Sequence, residues 1–539
     1  MIILIWSVAL VAALALYFRQ AYSRFSKYGV KHSKVVPLFG NMLNIALRRE
    51  HMAIEMDKMY KEFQNERFIG RYEFIKPTIV PHDIELIKKI TIKDFDHFID
   101  HRGLTDDTVE PLFARNLFSL KGEEWKDMRS TLSPAFTSSK IKLMVPFMEE
   151  VSEQMIRALK KKIKESDSGS IDVEVKDLST RFANDVIASC AFGLKVDSHN
   201  DENNQFYEMG KTAATFKFRQ MILFFLMSAF PALVSVLRLK LFSNATHKFF
   251  IDLVLGTMKD REARQIIRPD MIHLLMEAKK GRLSHDDKNG ASTHQDTGFS
   301  TVEESSVGKK TVERVWSDTD LIAQAVLFFI AGFETVSTAM SFALYELAVN
   351  PEVQDKLARE IKEHDAKNCG KLNFNSIQNM TYLDMVTSEA LRLWPPVIAL
   401  DRVCVKDYNL GKPNPKAAKD FIIKKGDILS IPAWCFHRDP KIFPNPEKFD
   451  PERFSEENKH NINPFTYMPF GIGPRNCIGS RFALCELKML LYQILLHMEV
   501  SPSEKTCIPA KLSPESFNPR MEGGHWLKFQ MRCIFSHLF

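Results

Sequence analysis

Apolar residues fill positions 2 to 18, IILIWSVALVAALALYF, without a single charge. As a helix that run is roughly 25 Å long, which nearly crosses a hydrocarbon core of about 30 Å. No Lys or Arg precedes it, whereas Arg19, Arg24, Lys27, Lys31 and Lys34 follow before the first carboxylate, Glu50. Basic residues on that flank mark the cytosolic side, and a cleaved signal peptide would carry them ahead of the apolar run. The pattern predicts a retained anchor over residues 1–20, a basic linker over 21–35, and a single body from 36 to 539 facing the cytosol.

Helical periodicity runs from about 41 to 65, strand-like alternation follows in RFIGRYEFIKPTIV (67–80), and helical periodicity returns beyond 120 and persists to 393. Residues 397–433 and the last forty show turn signals and short apolar runs, consistent with strands. The body is therefore expected to be mainly α with a small β region. Residues 279–312 are rich in Gly, Ser, Thr and charge and predict a mobile loop inside the fold. Two further apolar runs stand out. Met221–Leu237 is uncharged but holds Pro231 and is flanked by Arg219 and Arg238, which suggests a segment lying at a membrane interface. Leu321–Tyr345 carries Glu334 amid Gln324, Thr335, Ser337, Thr338 and Ser341. A carboxylate at mid-span costs about 2.5 to 3.5 kcal/mol, so this run reads as a helix through the protein core.

Composition adds little. The 539 residues are 45% apolar, and 73 Lys and Arg against 67 Asp and Glu leave a net charge of +6, too small to suggest nucleic-acid binding. The eight cysteines form no C-x-x-C pair and no disulfide framework, as suits a reducing compartment.

One cysteine has unusual surroundings. In PFGIGPRNCIGSRFAL (469–484), Cys477 lies between Gly473 and Gly479, with a helix expected to begin just after it. Amide N–H groups aimed at a sulfur favour the thiolate, which can serve as a nucleophile, a zinc ligand or a haem iron ligand. Structural zinc needs four ligands, and the nearest other cysteine is Cys485, so zinc is disfavoured.

Phe470, Gly473, Arg475, Cys477 and Gly479 match the F-x-x-G-x-R-x-C-x-G signature, and here the chain resembles the cytochrome P450 haem-thiolate monooxygenases. The resemblance implies the mainly α fold of that family, haem b with Cys477 as iron ligand, Phe470 shielding the sulfur, and Arg475, Trp125, Arg129 and Arg402 around the haem propionates. AGFET (331–335) matches the distal-helix pattern of the family, which implies roles for Glu334 and Thr335 in handling protons at the oxygen site. Glu389, Arg392 and Arg453 match a structural Glu-Arg-Arg network. An apolar pocket is expected from the loop at 100–120, the 215–240 segment, Phe328, Phe329, Ala331, Val397, Ile398 and Leu400. No dinucleotide fingerprint or Walker loop is visible. The resemblance accordingly implies electrons from NADPH through a partner flavoprotein reductase, with a cytochrome b-type donor as a further partner and the endoplasmic reticulum as location. Lys126, Arg129, Arg481 and Lys488 are candidates for a docking face. Segments such as EWKDMRSTLSPAFTSSK look most like microsomal detoxifying members. Hormone or pheromone oxidation, a haem-thiolate isomerase and a haem sensor remain open readings.

Overall fold

The computed structural model describes all residues except 104–106, 108, 202, 215–219, 221, 224–225, 228–233, 235, 281–297, 304, 310–313 and 533–539. Its centre is one long helix, Asp318–Val349. Ser317 starts it with a reciprocal cap: the Ser317 hydroxyl accepts from the Asp320 N–H at 3.2 Å, and the Asp320 carboxylate accepts from the Ser317 N–H at 3.0 Å. Helices Val175–Ile187, Thr381–Leu393 and Ser480–His497 pack around it. The run expected to cross the core thus does so, and its apolar residues, from Leu321 and Ile322 to Leu344 and Leu347, are buried against these neighbours.

The alternating stretch forms a hairpin, Phe68–Glu73 paired antiparallel with Lys76–Pro81. The second of these strands pairs in parallel with Ile428–Ile431, which in turn pairs antiparallel with Leu400–Val403. A second sheet joins Ser170–Glu174, Trp526–Met531 and Met498–Pro502. Arg402 sits opposite Leu429 in the first sheet, a register that delivers it to the cysteine loop.

Two expectations change. The segment 21–35 was expected as a linker, yet Tyr22, Phe25 and Val30 are buried in a satellite core with Phe68, Tyr72 and Phe421. These three sit three and five apart among the lysines and serines, a spacing that charge obscures in the sequence. The polar stretch 279–312 is also partly tied down: the Phe299 N–H donates to Asp384 at 2.9 Å, and the Ser300 hydroxyl lies 2.6 Å from Tyr467 Oη. Its middle, 281–297, and most of 221–237, the segment expected to lie at a membrane interface, fall outside the described residues.

Candidate active site

The cysteine loop is built by backbone bonds and one glycine. The Cys477 N–H donates to the Phe470 carbonyl at 2.8 Å, closing the loop, and the Asn476 N–H donates to the Gly473 carbonyl at 3.0 Å. Gly473 has φ +72°, and a Cβ there would stand 2.1 Å from the Thr91 carbonyl oxygen, so the position demands glycine twice over. Gly479 differs from its expected part: it is the cap residue of helix Ser480–His497 with φ −94°, and its role is to direct its N–H at the Cys477 sulfur. The sulfur is exposed, yet it lies so deep that burial raises its pKa above the ordinary thiol value, against the pull of the Gly479 N–H and the Arg129 charge. It therefore faces a space enclosed by protein.

The core helix opens toward that space along one stripe. Leu327, Phe328, Ile330, Ala331, Gly332 and Thr335 are partly or fully exposed, although the residues between them are buried. Phe136 joins the two walls: its ring centroid is 5.2 Å from that of Phe328, and its edge is 3.7 Å from where a Cβ of Gly479 would stand. Leu400 closes another side, 3.7 Å from the corresponding point at Gly471. Phe329, expected in the pocket, faces the opposite way and is fully enclosed by Phe192, Phe206, Phe250 and Phe333. Ile398 is likewise core, whereas Val397 is exposed.

Three buried guanidiniums gather beside the loop. Arg475 donates to the carbonyls of Ile99 at 2.7 Å and Leu120 at 2.8 Å and stacks 4.0 Å over Trp125. Arg129, one turn from Trp125 on helix Gly122–Leu132, donates to the Asn476 carbonyl at 2.7 Å. Arg402 donates to the Ile472 carbonyl at 3.1 Å, while its Nε has no partner among the described residues. Burial lowers Arg402 to about 10, and burial with the Arg402 charge lowers Arg475. Asp100 stands 3.8 Å from the Arg475 guanidinium.

Glu334 and Thr335 do not share a face. The Thr335 hydroxyl lies on the open stripe and donates to the Ala331 carbonyl at 2.6 Å. Glu334 points toward helix Val175–Ile187, 3.4 Å from Lys176 Nζ and 3.1 Å from Arg520. Lys176 also donates to the hydroxyls of Ser337 at 2.6 Å and Thr338 at 3.0 Å. Burial brings this lysine down to about 8, Glu334 opposing the shift.

Away from the cavity, Arg392 clasps Glu389 with two bonds of 2.6 and 2.9 Å, and Arg453 reaches the same carboxylate at 3.4 Å. With Arg392 also donating to the His437 and Pro446 carbonyls, this network ties the Glu389 helix to the loop before the cysteine. The proposed docking face does not hold as drawn. Lys488 is fully buried and pairs with Asp384 at 2.8 Å, and Arg129 belongs to the buried cluster. Lys126 pairs with Glu123 at 2.9 Å and Asp96 at 3.2 Å.

A sequence profile of the family described as Cytochrome P450 matches residues 31–521. The chain is a cytochrome P450. It is 44% identical over 519 residues to Cytochrome P450 9e2 of Blattella germanica, covering 94% of each chain. It is 43% identical over 531 residues to the probable cytochrome P450 9f2 of Drosophila melanogaster, covering 96% of this chain and 98% of that one. The probable cytochrome P450 6a13 of the same fly is 36% identical over 531 residues, 98% of both. Membership makes this P450 a monooxygenase whose cofactor is haem. The site fits that group: an iron wants the thiol, and two propionates want the three clustered guanidiniums and the unpartnered Arg402 Nε.

Sequence reasoning missed three residues of this P450. Lys176 and Arg520 meet Glu334 across 158 and 186 residues, and no spacing signals that. His101, hydrogen-bonded to Asp401 at 2.9 Å and stacked on Phe118, stands within the electrostatic reach of Arg402 and Arg475. The only sequence signal for it was an arginine neighbour.

Proposed function

We propose that this P450 inserts one atom of dioxygen into apolar small molecules at the endoplasmic reticulum membrane and serves chiefly to oxidise foreign compounds. The single observation that carries the reading is Thr335 on an otherwise apolar open stripe, which shares Phe136 as a wall with the cysteine loop. Leu327, Phe328, Ile330 and Ala331 offer a substrate apolar contact without a directional polar group, which suits a broad range of shapes. Electrons come from NADPH through a partner flavoprotein.

Cys477, held by its loop, and Arg129, Arg402 and Arg475, with Trp125 beneath the last, would hold haem b. When bound, the haem supplies dioxygen activation. The chain supplies protons. Thr335 holds a proton at Oγ1 on the open stripe, parked on the Ala331 carbonyl, and rotation about χ1 presents it to the cavity. One residue earlier, Glu334 links the helix to Arg520, whose side chain is 36% exposed, so this turn lies close to solvent. Lys176 holds Glu334 in place from the other side.

Thr335→Ala tests the reading. The variant, supplied with a reductase, is expected to consume NADPH at a similar rate but release several-fold more hydrogen peroxide per product formed, as general-acid losses of ten-fold or more imply. Ser337 and Thr338 face Lys176 and do not replace it, contrary to what their nearness in sequence suggests. An unchanged peroxide-to-product ratio in the folded variant would remove Thr335 from proton handling.

A further inference from the structure

We propose that the anchor helix is pinned to the body, so that this protein rides on a bilayer at a fixed tilt instead of swinging on a tether. The inference rests on the reading of residues 1–20 as a membrane anchor. Helix Ile2–Ala21 ends one residue before Tyr22, which is already buried, and Phe25 is fully buried. Phe18, still on the anchor, stacks on Tyr22 at 6.0 Å, Tyr22 sits edge-on to Tyr72 at 5.0 Å, and Phe25 lies 4.7 Å from Tyr72. Rings thus run without a break from the anchor into the hairpin Phe68–Glu73.

The pin is Phe25. Its ring occupies the space above Gly70, where an added Cβ would come within 2.3 Å of a ring carbon. Gly70 has no positive φ, so close approach of this ring is the reason for glycine there. Bonds on all sides hold the pin. Arg24 clasps Asp427 with both terminal nitrogens, the Gly70 N–H donates to the Lys31 carbonyl at 2.8 Å, and Asn414 donates to the Gly29 carbonyl at 3.2 Å. A flexible linker of about fifteen residues would let its ends wander some 20 Å apart. Here no free residue separates the anchor from the core.

The surface beside the pin suits anionic head groups. From Arg19 to Arg49 the chain has seven basic residues and no carboxylate, and it exposes Leu38 and Leu47 at 46% and 49%. The pin sets the tilt, and this basic collar adds a weaker hold on anionic lipid.

Linear dichroism of the haem Soret band on oriented bilayers reads the tilt directly. In pure phosphatidylcholine, the full-length holoprotein is expected to be strongly dichroic. Inserting four glycines between Ala21 and Tyr22 leaves the pin and the body intact but frees the helix, and most of the dichroism should be lost. Phe25→Ala should lose it too, with an unchanged Soret spectrum. Adding phosphatidylserine should restore part of the signal of the insertion variant through the collar. Full dichroism of the insertion variant in phosphatidylcholine would overturn the pin. Release of the wild type by alkaline carbonate would overturn the anchor reading and the pin with it.

Discussion

Two helices among the described residues are long and apolar enough to cross a membrane, and they meet opposite fates. Ile2–Ala21 has a mean hydropathy of 2.2 and buries none of its length in the protein, whereas Asp318–Val349 reaches 1.6 and buries 67% of its most apolar window. Apolarity alone would rank them together. The difference lies in what their polar groups can reach. Ser7 of the first helix only bonds back to its own Ile3 carbonyl at 2.8 Å. In the second helix, Gln324 takes the Leu117 N–H at 2.7 Å and gives to the Arg115 carbonyl at 3.0 Å, Glu334 meets Lys176 and Arg520, and Glu346 accepts from Trp394 at 2.7 Å. A polar side chain inside an apolar helix needs a partner on another element, and each of these has one.

Removing a partner should therefore hurt the second helix most. Lys176→Met leaves Glu334 with Arg520 alone and strips the donor from Ser337 and Thr338, at a cost of about 3 kcal/mol in urea unfolding of the holoprotein. A loss near zero would mean that the buried cluster does not anchor the helix.

Glu346 gives a smaller, pH-dependent effect. Burial raises its carboxyl to about 7, with Trp394 and the charges of Arg438 and Arg392 opposing the rise. A raised folded pKa means the neutral acid is the form that suits the fold. Its contribution is complete below the unfolded value near 4.5 and is lost as pH climbs through 7, by up to about 3 kcal/mol. Glu346→Gln keeps the acceptor for Trp394, so stability measured from pH 5 to pH 8 should fall less in the variant than in the wild type. Parallel pH profiles would contradict the assignment.

The anchor should show almost nothing in the same assay. Leu10→Gln changes a residue 61% exposed outside the body, so unfolding of the body should shift by less than about 0.5 kcal/mol, while the protein pellets less completely with membranes. A large loss of fold stability would mean that the helix packs on the protein.

Local signals explain what was legible. The Cys477 loop, the AGFET turn and the Glu389–Arg392 pair are each carried by residues within one or two turns of each other, so a sequence displays them. The 67–80 alternation likewise needed only its neighbours to become a hairpin. Partners distant in the chain did not show. Nothing near Lys488 announces Asp384, and nothing near Glu334 announces Lys176. The neighbours Phe328 and Phe329 look equivalent in sequence, but helical rotation sends one toward the cavity and the other into a ring cluster. Residues 21–35 read as a linker because Arg24, Lys27, Lys31 and Lys34 stand in it with no carboxylate, although Phe25 decides its structure.

Cys477 is the sulfur that this P450 offers to haem iron. The most direct measurement is the absorption spectrum of the reduced, carbon monoxide-bound protein carrying Cys477→Ala, compared with the wild type. Among the described residues no other cysteine has an amide-directed loop beside three guanidiniums: Cys190, Cys435 and Cys485 are buried in the hydrophobic core. The wild type is expected to show the Soret band of thiolate ligation, and the variant to lack it even where it retains haem. A thiolate band that persists in Cys477→Ala would contradict the assignment and, with it, the site described here.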